Sequence, residues 1–268
     1  MTGRVIVVGS LNLDTVLRLP HLPRPGETVA APTKVVLPGG KGGNQAVAAA
    51  RAGAEVLMLG AVGPDGGRYL AHLKASGVET THIDTVPDTP TGSAVVLTDA
   101  AGDNIVVVSE GANAHVQPAL DDLGLSNDDV VSLQFELPHH TVFSAAKQAK
   151  EAGATVLVNP SPWRPADDIL ALADVIVVNE LEAAELGDTV PASRRCTTLG
   201  ARGARWGELS VAATRLEPVD TTGAGDSFTG TLAALLATGH AKETALRRAV
   251  AAAGGVCGKS GAQQWRSV

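Results

Sequence analysis

One glycine-rich stretch of this sequence contains a single carboxylate and is suited to the chemistry of an anion. Residues 219–230 read Val-Asp-Thr-Thr-Gly-Ala-Gly-Asp-Ser-Phe-Thr-Gly, and an apolar segment that we predict to be helical follows at 231–238. Small residues at 223–225 allow backbone N–H groups to converge at a helix start, where the helix dipole also favours a phosphoryl group. Because like charges repel, Asp226 beside such an anion hole fits a general base better than a phosphate ligand. Taken alone, the same residues also fit a tight loop whose carboxylate complements the helix dipole.

A pair of polar side chains follows the first predicted strand, at residues 5–8. Asn12 and Asp14 lie two residues apart, so they share a face if the chain stays extended. An amide beside a carboxylate suits neighbouring hydroxyls of a polyol. Such residues are also common turn formers, so both interpretations remain open at this point.

A second glycine-rich stretch, Gly-Gly-Lys-Gly-Gly-Asn-Gln at 39–45, precedes a predicted helix at 46–52. Its glycines allow close approach of the backbone, and Lys41 and Asn44 add hydrogen-bond donors. We therefore predict a ligand site here rather than a flexible loop.

Asn179 and Glu182 have the spacing of a capping box, in which an Asn at the helix N-cap is paired with a Glu three residues later. A carboxylate in this position could also hold hydrated Mg²⁺. On this segment alone the cap is the better interpretation.

The elements that position these residues alternate between strand and helix. Predicted strands lie at 5–8, 55–59, 129–135, 155–158 and 174–178, and predicted helices at 65–76, 139–152 and 242–253. This alternation predicts an α/β fold with a doubly wound, mostly parallel sheet flanked by helices.

Two segments do not fit that alternation. Residues 15–37 are rich in proline and alternate like edge strands, and 93–98 and 104–109 form a predicted hairpin. We expect a small β-sheet lid made of 14–37 and 93–109, inserted into a catalytic domain of 1–13, 38–92 and 110–268. Its apolar positions are too many for a solvated flap and predict a homodimer through the lid; they are Val16, Leu19, Val35, Val95, Leu97, Val106 and Val108.

The composition excludes several classes of protein. The 268 residues are 44 % hydrophobic but only 3 % aromatic, and the formal net charge of −7 argues against a nucleic-acid-binding surface. Two cysteines do not suggest a disulfide framework. The apolar run near the start is too short for a signal peptide and no later run could span a bilayer, so we expect a soluble cytoplasmic protein.

Over nearly its whole length the sequence resembles the ribokinase-like family of sugar kinases. The motifs that carry the resemblance are, in chain order, 9–14 (Gly-Ser-Leu-Asn-Leu-Asp), 25–28 (Pro-Gly-Glu-Thr), 39–46 (Gly-Gly-Lys-Gly-Gly-Asn-Gln-Ala), 111–113 (Gly-Ala-Asn), 159–162 (Asn-Pro-Ser-Pro), 179–182 (Asn-Glu-Leu-Glu), 198–200 (Thr-Leu-Gly) and 220–226 (Asp-Thr-Thr-Gly-Ala-Gly-Asp).

The resemblance implies roles for individual residues. Asp226 would take the proton from the primary hydroxyl of the sugar, and the amides of Gly223, Ala224 and Gly225 would stabilise the transferring γ-phosphoryl group. The residues implied to hold the sugar are Asn12, Asp14, Gly40, Lys41, Asn44 and Glu136. Those implied near the nucleotide are Asn179, Thr198 and Gly200. Those implied near metal ions are Glu182, which would hold Mg²⁺ through water, and Asp220, Thr222 and Gly261, which would hold a monovalent cation such as K⁺.

The implied activity is ATP-dependent phosphorylation of a pentose at its primary hydroxyl, in the first place D-ribose to D-ribose 5-phosphate. The alternatives are a related kinase for deoxyribose, fructose or a nucleoside, and a sugar-binding homologue that has lost turnover. The sequence departs from the family in three places. Only nine residues separate Leu186 from Cys196 where a further helix is usual, the sequence stops at Val268 where we would expect a closing helix, and Gln264 and Trp265 replace a proline and a small residue.

Overall fold

The computed structural model describes residues 3–101, 103–214, 220–258 and 261–265, so Val219 and Gly102 of the segments discussed above lie outside the described residues. The strands are β1 (Val5–Val8), β2 (Asn12–Arg18), β3 (Thr33–Gly39), β4 (Val56–Val62), β5 (Val78–Glu79), β6 (Ile83–Thr85), β7 (Ser93–Thr98), β8 (Asn104–Ser109), β9 (Val130–Gln134), β10 (Thr155–Asn159), β11 (Val175–Val178), β12 (Arg195–Thr198), β13 (Ala204–Trp206) and β14 (Leu209–Val211). The α-helices are α1 (Lys41–Arg51), α2 (Gly67–Ala75), α3 (His139–Glu151), α4 (Asp167–Leu172), α5 (Glu180–Leu186), α6 (Ala224–Ala237) and α7 (Lys242–Cys257).

The main sheet is doubly wound, as the strand–helix alternation predicted. Within the described ranges it has ten strands in the order β14-β13-β12-β11-β10-β9-β1-β4-β5, with β6 also pairing with β4. Strands β1, β4 to β6 and β9 to β12 pair in parallel, and β13 and β14 add an antiparallel edge. Because parallel strands end at the same edge of a sheet, polar residues that follow β1, β9 and β10 meet there.

The central strand β1 shows why the sequence needs helices on both faces. Val5 and Val7 belong to an apolar core that includes residues of α1, α6 and α7, whereas Ile6 and Val8 belong to a second core that includes residues of α3 and α4. All four side chains are fully buried. Burial of such a side chain contributes roughly 1.5–3 kcal/mol, so β1 can only be an interior strand.

Helices α1 and α6 approach each other unusually closely at Gly230. A Cβ atom at this position would lie 2.2 Å from the carbonyl oxygen of Gln45, so no larger residue fits. This contact brings the first turns of α1 and α6 together, and with them Asn44, Gln45 and Asp226.

Four strands form a second, separate sheet in the described part of the chain, in the order β3-β2-β7-β8. The predicted hairpin of β7 and β8 is confirmed, and β2 and β3 are the two strands predicted within 15–37. Strand β2 starts at Asn12, so it leads directly from the end of β1 into the second sheet. Among the apolar positions from which the dimer contact was predicted, Leu19 is already buried within the chain.

The structure corrects the predicted start of α1. The helix begins at Lys41 rather than at residue 46, and Gly42 and Gly43 lie in its first turn instead of in a loop. These glycines serve packing, because a Cβ atom on Gly42 would lie 2.5 Å from the carbonyl carbon of Gly9. The predicted helix at 65–76 is also shorter, with a 3₁₀ turn at Pro64–Gly66 preceding α2. Helix α4 and strands β5, β6 and β12 to β14 were not predicted.

None of the helices formed by the described residues is long and apolar enough to cross a membrane.

Candidate active site

The carboxylate of Asp226 lies in the first turn of α6 and is held by two side-chain amides of α1. Asn44 Nδ2 donates to Asp226 Oδ2 at 2.8 Å, and Gln45 Nε2 donates to Asp226 Oδ1 at 3.1 Å. Asp226 is only 6 % exposed. The two hydrogen bonds thus fix the orientation of the carboxylate. A general base needs such a fixed orientation, because it must accept the proton in one geometry.

Gln45 connects this carboxylate to the ends of two strands of the main sheet. Its Oε1 accepts hydrogen bonds from Ser132 Oγ at 3.0 Å and from Gln134 Nε2 at 2.7 Å, both in β9. Its Nε2 also donates to Asn159 Oδ1 at the end of β10, at 3.3 Å. The sequence analysis missed Gln45 as a site residue, although it lies within the second glycine-rich stretch.

The start of α1 contacts a carboxylate that follows β9. Glu136 Oε2 accepts a hydrogen bond from the Lys41 backbone N–H at 2.8 Å and another from Ser10 Oγ at 2.5 Å. The negative charge of Asp226, which outweighs the effect of burial, raises the pKa of the Lys41 ammonium, with further contributions from Glu136 and Glu182. Lys41 is therefore charged and lies within electrostatic range of all three carboxylates.

Asn12 and Asp14 lie on β2 at the border between the two sheets. Asn12 Oδ1 accepts from Asn113 Nδ2 at 2.8 Å, and Asp14 Oδ1 accepts from the Ala94 backbone N–H at 3.0 Å. A Cβ atom on Gly39 would lie 1.8 Å from Asp14 Oδ2, so the carboxylate packs directly against that backbone.

Burial makes Asp14 an unusual carboxyl group. Its pKa is raised to about 7, chiefly because burial penalises the charged form; the hydrogen bond from Ala94 opposes this rise and the nearby Glu136 charge adds to it. A carboxyl group that only forms a turn does not require a raised pKa, whereas carboxyl groups with shifted pKa values are common in binding sites. This observation favours the functional interpretation of the Asn12 and Asp14 pair.

The N-terminus of α6 has the features of an anion hole. Its N-cap Gly223 has φ 77° and no side chain caps the helix. A Cβ atom on Gly225 would meet nothing within 4 Å, so the space beside this backbone is open. A phosphoryl group can therefore approach the first amides of the helix.

A cavity of about 640 Å³ opens beside the same helix start. Thr198, Gly200 and Gly225 line it together with Phe228 of α6 and Cys257 of α7. The structure thus places two of the three predicted nucleotide residues next to the anion hole. The third, Asn179, does not line this cavity. Residues 187–194, which lead from α5 to β12, contain no helix.

Asn179 and Glu182 form the capping box that their spacing predicted. Asn179 Oδ1 accepts from the Glu182 backbone N–H at 2.8 Å, and Glu182 Oε2 accepts from the Asn179 backbone N–H at 2.8 Å. Glu182 is 8 % exposed. In the described part of the chain, no group of three or more His, Cys, Asp or Glu side chains is arranged to hold a metal ion.

Asp220 joins the loop before α6 to the segment after α7. Its Oδ1 accepts from the Thr222 backbone N–H at 2.8 Å, and its Oδ2 accepts from the Gly261 backbone N–H at 2.8 Å. Burial alone would raise the pKa of this carboxyl, but hydrogen bonds from Thr222 and Gly261 outweigh it and lower the pKa. The three residues implied for a monovalent cation are thus neighbours, and the carboxylate among them is ionised at neutral pH.

Known proteins of one family match the chain over almost its whole length. The profile of the pfkB family of carbohydrate kinases matches residues 2–267. The chain is 39 % identical to a ribokinase of Bacillus subtilis over 93 % of this chain and 91 % of that protein. It is also 34 % identical to a deoxyribokinase of Salmonella typhimurium, over 98 % of this chain and 96 % of that protein.

Among solved structures, the ribokinase of Arabidopsis thaliana complexed with ribose and ATP superimposes with a TM-score of 0.86 at 31 % identity, covering 97 % of this chain and 94 % of that one. Together with the match of the family profile along the chain, these similarities show that the protein belongs to the pfkB family of carbohydrate kinases and is an ATP-dependent phosphotransferase.

Proposed function

We propose that this kinase transfers the γ-phosphoryl group of ATP to the primary hydroxyl of D-ribose and forms D-ribose 5-phosphate. The observation that carries the proposal is the position of Asp226. Its carboxylate is bound to Asn44 of the polar cluster at α1, and the backbone of the preceding residue, Gly225, lines the open cavity. An alcohol at Asp226 would therefore lie between a site for hydroxyl groups and a site for phosphate.

In this reaction Asp226 takes the proton of the primary hydroxyl, and the amides of Gly223 to Gly225 stabilise the charge on the transferring group. Phosphoryl transfer depends mainly on positioning and on electrostatic stabilisation, which these groups supply. The remaining hydroxyls are bound by the polar residues around α1 and β2, namely Asn12, Asp14, Gly40, Lys41, Asn44 and Glu136. The adenosine part of ATP occupies the cavity beside Thr198 and Gly200.

Metal ions complete the proposed site. ATP reacts as its Mg²⁺ complex, and because Glu182 Oε2 already accepts the Asn179 N–H, we propose that Glu182 reaches hydrated Mg²⁺ through water. The ionised Asp220, with Thr222 and Gly261, is suited to a monovalent cation such as K⁺ next to the anion hole. Because ATP is supplied inside the cell, we propose that the reaction takes place in the cytoplasm.

We propose that the second sheet is a lid and that it pairs with the lid of a second copy of the chain. We propose that 14–37 and 93–109 form this lid and that the remainder is the catalytic domain. In the edge strand β8 four consecutive apolar residues, Ile105 to Val108, are 43–61 % exposed. An exposed apolar edge is an aggregation hazard, and a two-fold contact between lids would cover it.

Deoxyribose is the main alternative substrate, because a deoxyribokinase is among the relatives. A coupled assay of ADP release over ribose, deoxyribose, fructose and inosine, with and without K⁺, tests the proposal. We expect the highest kcat/KM with D-ribose and a higher rate with K⁺. A higher kcat/KM with another sugar would replace ribose, and ATP-dependent turnover of none of them would refute the proposed function.

A further inference from the structure

A chain of hydrogen bonds connects Asp226 to the segment after α7. Asn44 donates to Asp226 through Nδ2, and its Oδ1 accepts from Gln263 Nε2 at 2.7 Å. Gln263 Nε2 also lies 3.2 Å from Tyr69 Oη, and Gln263 Oε1 lies 2.8 Å from His72 Nε2. Gln263 is 2 % exposed, so its own amide is shielded from water, whereas Asn44 is half-buried.

The two ends of this chain determine the direction of every hydrogen bond in it. An ionised Asp226 only accepts, so Asn44 must present its NH₂ group there and turn its oxygen towards Gln263. At the other end Tyr69 donates to the carbonyl oxygen of Gly39, which also only accepts, so the Tyr69 oxygen must accept from Gln263. Both requirements assign the same Gln263 nitrogen as the donor. Its oxygen is left to accept from the His72 ring.

We propose that Gln263 is a positioning residue for phosphoryl transfer: it fixes the amide of Asn44 with its NH₂ group towards Asp226. This inference rests on Asp226 being the base of the proposed reaction. Only an amide of this length provides two donor hydrogens, for Asn44 and Tyr69, and an acceptor for His72. Without them the oxygen of Asn44 loses its donor, so the side chain is free to move and its NH₂ group is no longer held in hydrogen-bond position to Asp226.

The backbone on both sides of Gln263 is anchored, so the side chain has a fixed origin. Gly261 donates to Asp220, and Trp265 Nε1 donates to the carbonyl oxygen of Val36 in β3 at 2.8 Å. The guanidinium of Arg68 lies 4.0 Å from the centre of the Trp265 ring. Gln263 thus links the base to a segment that is attached both to the loop before α6 and to the second sheet.

A double-mutant cycle in the full chain tests this role. Gln263→Met keeps the size of the side chain but removes the donor, and we expect kcat/KM for ribose to fall about 10²-fold, in line with the effect of a misplaced catalytic group. In an Asn44→Ala background the same substitution should change kcat/KM less than threefold, because Gln263 would act through a residue that is no longer there. Equal losses in the two backgrounds would overturn the proposal and leave Gln263 a packing residue.

Gln263→Glu gives a second comparison at nearly constant shape. A carboxylate can only accept, so it opposes the oxygen of Asn44, and we expect kcat to fall at least as far as in Gln263→Met. Gln264→Glu, the same substitution at the exposed neighbouring residue, is the matched control and should keep kcat within about twofold. The urea midpoints of all variants check folding.

The side-chain amide resonances of Asn44 give a readout that does not need turnover. We expect Gln263→Glu to shift them and Gln264→Glu to leave them in place. Unchanged resonances in Gln263→Glu would refute the positioning of Asn44 even if the wild-type enzyme is active. Shifted resonances in a protein without kinase activity would instead support the contact and refute the proposed reaction.

Discussion

The raised pKa of Asp14 predicts a defined relation between pH and stability. The unfolded chain has an ordinary Asp14 pKa of 3.8, whereas the folded protein has one of about 7. Between these values the folded state binds more protons than the unfolded state, so the free energy of unfolding must fall as pH rises through this window. One pKa unit corresponds to about 1.4 kcal/mol, so the full loss due to Asp14 is about 4 kcal/mol above pH 7.

Asp14→Asn removes the titration while keeping the size of the side chain and the oxygen that accepts from Ala94. We expect the variant to gain stability relative to the wild type as pH rises, by about 4 kcal/mol between pH 4 and pH 8. Urea unfolding at each pH measures this difference. Asp84→Asn, a substitution at an exposed aspartate, is the control and should give a difference that does not depend on pH. A flat difference for Asp14→Asn would refute the reasoning about burial.

The same substitution should impair sugar binding, since an ionised carboxylate accepts hydrogen bonds from two hydroxyls and an amide has only one acceptor. In the wild type we expect ribose affinity to weaken as pH falls below 7. In Asp14→Asn we expect the ribose affinity to be lower than in the wild type and independent of pH in this range. Isothermal titration calorimetry measures both. Unchanged ribose affinity in the variant would place the sugar elsewhere.

Three further predictions concern the base, the packing around Asp14 and the lid. Asp226→Asn should lower kcat by more than ~10²-fold while ribose affinity by calorimetry survives, and a variant that keeps a tenth of the activity would exclude Asp226 as the base. Gly39→Ala would bring a methyl group within 1.8 Å of Asp14 Oδ2, so we expect weaker ribose binding and a lower urea midpoint, and wild-type values for both would contradict the close packing. Charged substitutions at Val95 and Val106 should halve the mass measured by light scattering, and a wild-type protein that is already monomeric would refute the dimer.

Local sequence patterns were sufficient to predict a strand or a helix where all the residues that determine it lie within that element. The strand–helix alternation predicted the main sheet, and the small residues at 223–225 predicted a helix start just before Asp226. The start of α1 was predicted wrongly because Gly42 and Gly43 suggested a loop. In the structure they are helical, and the reason lies in a distant segment: the backbone of Gly9 and Ser10 lies against Gly42.

Two glutamines of the hydrogen-bond network around Asp226 could not be predicted in the same way. Gln45 and Gln263 are polar residues without a local pattern, and their partners lie up to 219 residues away in the sequence. Glutamine is ordinarily found on the surface, so burial of both side chains becomes evident only once α1, α6 and the C-terminal segment are packed together.

The distribution of charge explains how one site can hold two chemically different substrates. Around Lys41 lie the carboxylates of Asp226 and Glu136, and Asp14 is close to Glu136. A neutral polyol can use such acceptors, whereas a triphosphate would be repelled by them. In contrast, no charged side chain is among the described residues that line the cavity beside α6. There the attraction for phosphate comes from backbone amides and the helix dipole, which bring no fixed side-chain charge. On the proposed function, this separation directs the sugar to the carboxylates and the nucleotide to the cavity, so that the two substrates meet at Gly225 and Asp226.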